Sequence, residues 1–208
     1  MATTFLPGLP DNKKVCTNRL CKSCGLYLHQ LPVLDKRLIS NVFWVGLSAV
    51  IFSDDQESLP LSPSTPSGRL IQSIEQGFTG KMQFYKTNLV KCAPVKDDKI
   101  RYPLQHEMEK CYPNFEWELE NLQPKTVFLL GKQVSNFVMK QLGFPPPTLA
   151  DDFSYTAVRV NGTDFIPIHH PSYILVYKRK WVEAYMDNIQ AHFPVLRSRE
   201  RENFAVPV

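Results

Sequence analysis

A chain of 208 residues with 43% hydrophobic content has the size of one ordinary domain and enough apolar side chains for a sizeable core. Its formal net charge of +4 tolerates a polyanionic partner without requiring one. The start has no basic, then apolar, secretory pattern and no segment reaches membrane-spanning length, so the five cysteines are expected in a reducing cytoplasm, where a disulfide framework is disfavoured.

In chain order, near-continuous apolar runs alternate with segments of helical period. The runs are NVFWVGL (41–47), MQFYKTNLV (82–90), KTVFLLG (125–131) and DFIPIHH (164–170), the pattern of strands buried on both faces. Helices are expected over SGRLIQSIEQ (67–76), within HEMEKCYPNFEWELENL (106–122) and over SNFVMKQLG (135–143). A last, long amphipathic helix is expected from Ser172 to about Phe193, opened by Pro171. The stretch LSPSTPSG (61–68) reads as an exposed loop leading into a helix.

This alternation predicts an α/β fold, a three-layer α/β/α sandwich around a central, mostly parallel four-stranded sheet. One domain is expected over 1–195, with a cysteine-rich arm at its start, as a monomer with a mobile tail over 196–208. Ligands of such sheets bind beyond the carboxyl ends of the strands, where Gly46, Asn88, Gly131 and His170 fall.

Cys21 and Cys24 stand in C-x-x-C spacing, and Cys92 and Cys111 follow at longer intervals. Four soft thiolates suit a tetrahedral zinc or an iron–sulphur cluster, zinc being the commoner outcome of spacing alone. Cys16 is left over as a free thiol or an alternative ligand. The plain alternative for any one of the five is a small buried hydrophobe.

The series VFWVGLSAV, GRLIQSIEQ, FYKTNLVKCAP, a downstream cysteine, PKTVFLLGKQV and HHPSYIL resembles the uracil-DNA glycosylase superfamily. Motif order and approximate spacing are kept over about residues 16–195. The closest branches are the iron–sulphur ones, families 4 and 5, which have an N-terminal C-x-x-C, a TN-x-x-[KR]C-x-P segment, a later cysteine and a terminal HPS motif. The resemblance implies a monofunctional DNA glycosylase in the cytoplasm of a bacterium or archaeon, acting on double- or single-stranded DNA. It also implies a structural [4Fe-4S] cluster on Cys21, Cys24, Cys92 and Cys111 in place of zinc.

Hydrolysis of an N-glycosidic bond passes through an oxocarbenium-like state with negative charge on the departing base. The protein must flip the nucleotide out, hold its edge and stabilise the anion. By resemblance, His170 donates to the leaving base and Asn88, whose amide both donates and accepts, reads the base edge; His169 has no such counterpart. Pro171 and Ser172 open a helix whose first amides can bind a phosphate. Tyr173, Ile174 or Leu175 can wedge into the gap left by a flipped nucleotide, with packing in the helix core as the alternative for at least two of the three. Lys178, Arg179 and Lys180, and Lys86 and Lys91 beside Asn88, are candidate phosphate contacts.

Two departures from the family pattern stand out. Gly46-Leu47-Ser48-Ala49-Val50 lacks the carboxylate of the family 4 motif and the proline of both branches, which leaves Asp54 as the candidate for handling water, with a solvated loop acid as its alternative. The loop holding Ser64 has prolines and serines where uracil-specific relatives carry a stacking aromatic, a loss of about 1 to 3 kcal/mol. Gly46, Leu47, Ser48 and Ser64 are therefore expected to border a pocket for a bulkier, more polar base. A hydroxymethylated or glucosylated cytosine of viral DNA is an example, which would make the activity antiviral. The alternatives are excision of uracil or another deaminated base, and a catalytically silent DNA-binding module.

Overall fold

The computed structural model describes residues 21–35, 40–51, 59–79 and 82–194. The expectations resting on Cys16, Asp54 and the tail over 196–208 lie outside the described residues.

A short 3-10 turn, Leu26–Leu28, precedes β1 (Val42–Ser48), α1 (Pro66–Gln76) and β2 (Phe84–Val90). A small hairpin of β3 (Val95–Lys96) and β4 (Lys99–Ile100) leads into α2 (Gln105–Leu122), β5 (Thr126–Leu130) and α3 (Lys132–Gln141). The chain then forms β6 (Val158–Val160), β7 (Thr163–Ile168), α4 (Pro171–Tyr177), a 3-10 turn (Arg179–Trp181) and α5 (Val182–Gln190).

The main sheet has the order β2-β1-β5-β7-β6. Its first four strands are parallel, and each matches one of the apolar runs. The sheet has five strands where four were expected, because β6 pairs antiparallel with β7 as an edge strand. Arg159 is polar and β6 is only three residues long, so no apolar run announces it. The signal was the dipeptide Asn161-Gly162, flanked by Val160 and Thr163: both residues take positive φ, 50° and 83°, as a tight hairpin turn demands.

Side-chain alternation in the strands sorts the core into two layers. Val42, Trp44, Phe128, Leu130, Ile166 and Ile168 pack with Ile71 and Ile74 of α1, Ile174 of α4 and Tyr185 and Ile189 of α5. Phe43, Val45, Val127, Leu129 and Phe165 pack on the other face against Phe115 of α2 and Val138 of α3. The result is the α/β/α sandwich. Among the described residues, no helix is long and apolar enough to cross a membrane.

The long last helix is broken at Lys178, whose backbone leaves the helical region at φ −130°, ψ 31°. Twenty-two residues of straight helix would run about 33 Å, well past the ends of strands of five to seven residues. Turning the chain lets Tyr185 and Ile189 return to the sheet, fully buried, where the Tyr185 hydroxyl donates to the His169 carbonyl at 2.8 Å.

Lys91 does not face solvent, contrary to its expected role as a phosphate contact. It is buried, with Nζ 2.7 Å from Glu118 Oε2 of α2 and 2.6 Å from Thr87 Oγ1. Glu118 also accepts from the hydroxyls of Tyr85 and Thr87. An ammonium taken from water is tolerable only with such partners, and the network fastens β2 to α2. Lys86 is likewise engaged, 3.0 Å from Glu75 Oε2.

Candidate active site

A cavity of about 250 Å³ opens at the carboxyl ends of β1, β2 and β7, lined by Gly46, Leu47, Ser48, Val50, Leu59, Leu61, Ser62, Thr65, Ser67, Asn88 and His170. This is the end of a parallel sheet at which α/β folds bind ligands. A larger cavity of about 530 Å³ lies around Lys125 and Thr163, at the amino ends of β5 and β7, and none of the candidate residues lines it.

Asn88 is brought to the cavity by register. It sits beside Gly46 across the β1–β2 ladder, and a Cβ on Gly46 would lie 2.3 Å from Asn88 Oδ1. Glycine is therefore the residue that lets the amide lie over the end of β1. Asn88 is 4% exposed, and its side chain forms no hydrogen bond among the described residues. A buried amide without a partner among the described residues is poised for a ligand edge.

His170 stands between β7 and α4 as the N-cap of that helix. Its Nδ1 accepts from the Ser172 backbone N–H at 3.1 Å and lies 2.7 Å from Ser172 Oγ. An amide N–H can only donate, so in the neutral ring the proton resides on Nε2, which makes no hydrogen bond among the described residues. Burial pushes the imidazole pKa below its ordinary 6.5, which keeps this neutral tautomer at physiological pH. Gly131, at the end of β5, backs the ring: its φ is +87°, and a Cβ there would approach His170 Cβ to 3.1 Å.

His169 points elsewhere. Its Nδ1 meets the Tyr155 hydroxyl at 3.1 Å, the edge of Phe153 packs on it, and Tyr173 stacks on its ring.

The loop before α1 supplies the opposite wall, through residues other than the one expected. Ser64 is exposed and donates its N–H to Ser62 Oγ at 3.2 Å, with its own Oγ 3.0 Å from the same atom, so it braces the turn outside the cavity. Ser62, Thr65 and Ser67 line the cavity in its place. The signal for this was the pair Thr65-Pro66: Thr65 caps α1 by accepting from the Gly68 N–H at 3.1 Å, and Pro66 takes the first helical position. Gly68 allows the close approach, since a Cβ there would lie 2.0 Å from the Ser62 carbonyl oxygen. Leu47 borders the cavity while packing mainly on the α2–α3 layer.

Two expectations about the start of α4 need correction. Ile174 is 0% exposed and belongs to the core, so it cannot wedge into DNA. The first amides of the helix are not open to a phosphate, because the Ser172 N–H is used by His170 Nδ1 and the Tyr173 N–H by the His170 carbonyl. Lys178 is drawn to Asp151 at 3.4 Å, whereas Arg179 donates only Nε, to the Leu175 carbonyl at 3.2 Å, and keeps the rest of its guanidinium outward.

Three of the four cysteines pack together beyond the end of β2. Cys92 and Cys111 are buried with Leu26 and Val90, and Cys24 packs against them. Burial pushes the Cys92 thiol up to about 12, helped by the neighbouring sulfurs of Cys111, Cys24 and Cys21. Cys111 Sγ accepts from the Lys91 N–H at 3.4 Å and from Asn114 Nδ2 at 3.6 Å, the kind of donor that surrounds cluster-bound sulfur. Among the described residues, no three His, Cys, Asp or Glu side chains are arranged to hold a single metal ion. The donor set suits an iron–sulphur cluster in its chemistry: four soft sulfurs, two of them buried.

The family model of the uracil DNA glycosylase superfamily matches residues 37–193. The type-4 uracil-DNA glycosylase of Sulfurisphaera tokodaii is 23% identical over 188 residues, covering 88% of this chain and 77% of the relative. The crystal structure of wild-type Pedobacter heparinus SMUG2 aligns with a TM-score of 0.48 at 17% identity, covering 74% of this chain and 75% of that one. With the family model spanning the whole sheet and every residue of the cavity, the chain is a DNA glycosylase that belongs to the uracil DNA glycosylase superfamily.

Proposed function

We propose that this glycosylase excises a modified pyrimidine carrying a polar substituent, such as hydroxymethylcytosine or its glucosylated form, and so acts against viral DNA that contains it. The observation that carries the reading is the composition of the cavity. Its described walls are aliphatic (Leu47, Val50, Leu59, Leu61) and hydroxyl-bearing (Ser48, Ser62, Thr65, Ser67), around Asn88 and His170. Such hydroxyls offer hydrogen bonds to a polar substituent on the base.

In this reading Asn88 holds two adjacent polar atoms of the flipped base. As the bond from base nitrogen to sugar C1′ breaks, its electrons pass to the base, and His170 Nε2–H donates to the pyrimidine oxygen on which the charge collects. Water adds at C1′ and loses its proton, a step we assign to Asp54. Cys21, Cys24, Cys92 and Cys111 hold a [4Fe-4S] cluster that supplies a structural tie between the arm, the end of β2 and α2. Support for it comes from the cysteine pattern of the branches that the sequence resembles and from the proximity of the four thiols.

Likeness to a type-4 uracil-DNA glycosylase favours a second reading, excision of uracil. One assay separates the two. Purified protein is incubated with duplexes and single strands carrying uracil, hypoxanthine, 5-hydroxymethylcytosine or its glucosylated form, and abasic sites are then cleaved with alkali. Cuts at the hydroxymethylated or glucosylated base are expected. Cuts at uracil alone establish the second reading, and no cut at any base leaves a DNA-binding module and overturns both.

A further inference from the structure

Beyond the pocket, we propose that Tyr177, packed against Tyr173, and the exposed Trp181 that follows the helix break contact the unpaired DNA bases next to the flipped nucleotide. The proposal does not depend on which base is excised.

Tyr177 is supported from beneath. His169 is fixed by the Tyr155 hydroxyl at 3.1 Å and by the edge of Phe153, with ring centroids 5.5 Å apart. Tyr173 stacks on His169 at 5.3 Å and 17°, and Tyr177 follows Tyr173 at 5.5 Å and 41°, the i, i+4 neighbour on α4. These three rings make a ladder that begins in the core and ends in water, since Tyr177 is 73% exposed. Among the described residues, Tyr173 is the only aromatic partner of Tyr177. The rest of its ring is open and held at little remaining entropic cost.

The helix break adds a second ring. After Lys178 the chain turns, and Trp181 emerges 50% exposed. Exposed large apolar side chains gathered in one short segment, with Val176 among them, mark a contact surface.

Charge identifies the occupant. Lys178, Arg179 and Lys180 are consecutive between the two rings, and only Lys178 has a carboxylate partner among the described residues. Aromatic rings interleaved with unpaired cations are the recognition chemistry of single-stranded nucleic acid, in which bases stack and phosphates meet the charges. The ladder starts at His169, the chain neighbour of the histidine that lines the catalytic cavity.

The test uses the full chain and fluorescein-labelled oligonucleotides with a central tetrahydrofuran abasic analogue, single-stranded and in duplex, read by fluorescence anisotropy. No base excision is needed, so an error over the excised base leaves the outcome unaffected. Tyr177→Ala is expected to weaken single-strand binding about 5- to 150-fold, the worth of one stacked base. Trp181→Ala is expected to weaken it within the same range, and Tyr177→Phe, which keeps the ring, to stay within about twofold of wild type. The duplex without unpaired neighbours should respond less. Both alanine variants keep the wild-type melting temperature, because both side chains are exposed. The proposal is overturned if Tyr177→Ala and Trp181→Ala bind the single strand as tightly as wild type. It is overturned equally if Tyr177→Phe loses as much as Tyr177→Ala, or if the wild-type protein binds no single strand. The last result would leave the exposed rings as a surface for a protein partner.

Discussion

Gly46 and Asn88 are partners across the β1–β2 ladder, and a methyl group on the first would lie 2.3 Å from the amide oxygen of the second. The carboxamide must therefore move if Gly46 becomes alanine. Gly46→Ala should lower kcat/KM about 5- to 150-fold, the worth of two neutral hydrogen bonds to the base edge. Asn88→Ala should do the same, and the double variant should be no worse than Asn88→Ala alone, because the first change acts through the second residue. Steady-state kinetics on the best substrate checks this, and additive losses would refute the coupling.

Replacing His170 separates its two tasks. His170→Ala removes both the Nε2 donor and the cap of α4, and kcat should fall about 100- to 1000-fold, as for other donors aimed at a developing anion. His170→Asn retains a capping side chain. It should recover thermal stability without recovering kcat; equal melting temperatures for the two variants would refute the capping role.

Acid should act in two stages. Burial lowers the pKa of both His169 and His170 below 6.5. Above pH 6.5 the rings are neutral in the folded and unfolded chain alike, and their full contribution is present. As pH falls below 6.5 the unfolded chain takes up protons that the folded one resists, so stability declines until the folded pKa values are passed. Glu107 and Asp164, held below their ordinary 4.5 and 3.8 by hydrogen bonds from Arg101 and Arg159, contribute a second decline that begins only near those lower values. Melting curves from pH 8 to 3 should show both stages, and His170→Asn should shrink only the first.

The buried pair of Lys91 and Glu118 predicts a large asymmetry. Lys91→Met leaves a carboxylate uncompensated in the core and should cost roughly 3–5 kcal/mol in urea unfolding. The double change Lys91→Met with Glu118→Leu should recover most of that loss. A double variant as unstable as the single one would show that the pair holds the fold by more than charge.

Loss of a cysteine should be felt as structure before chemistry. Cys111→Ala should abolish bound iron and its broad visible absorbance and lower the melting temperature, with proteolysis opening first in the arm bearing Cys21 and Cys24. Iron analysis of purified wild-type protein is the direct check. Stoichiometric zinc in its place would overturn the cluster assignment.

Much of the architecture was legible because burial on both faces forces near-continuous apolar runs, and Val42–Val45, Val127–Leu129 and Phe165–Ile168 all read that way. Strand ends then located Asn88 and His170 without reference to any contact. Edge strand β6 escaped because a half-exposed strand of three residues carries no periodicity, although its Asn-Gly turn was in plain view. The break at Lys178 escaped because helical period continues across it; only the length of the layer to be covered forbids a straight helix. The inward turn of Ser62, Thr65 and Ser67 escaped because a Pro/Ser-rich loop has no period from which to judge which hydroxyl faces the cavity. Lys91 looked solvated because a lone lysine gives no hint of a glutamate 27 residues away.

The order β2-β1-β5-β7 has a consequence for how the enzyme comes into being. Gly46 and Asn88 belong to the first half of the chain, whereas His170 follows β7, and β7 can dock only against β5 already laid beside β1. His170 emerges from synthesis more than eighty residues after Asn88. During synthesis the groove that grips a base edge is therefore complete well before the group that lets the base go. An unfinished chain can hold a nucleotide in passing, but it cannot cut one loose.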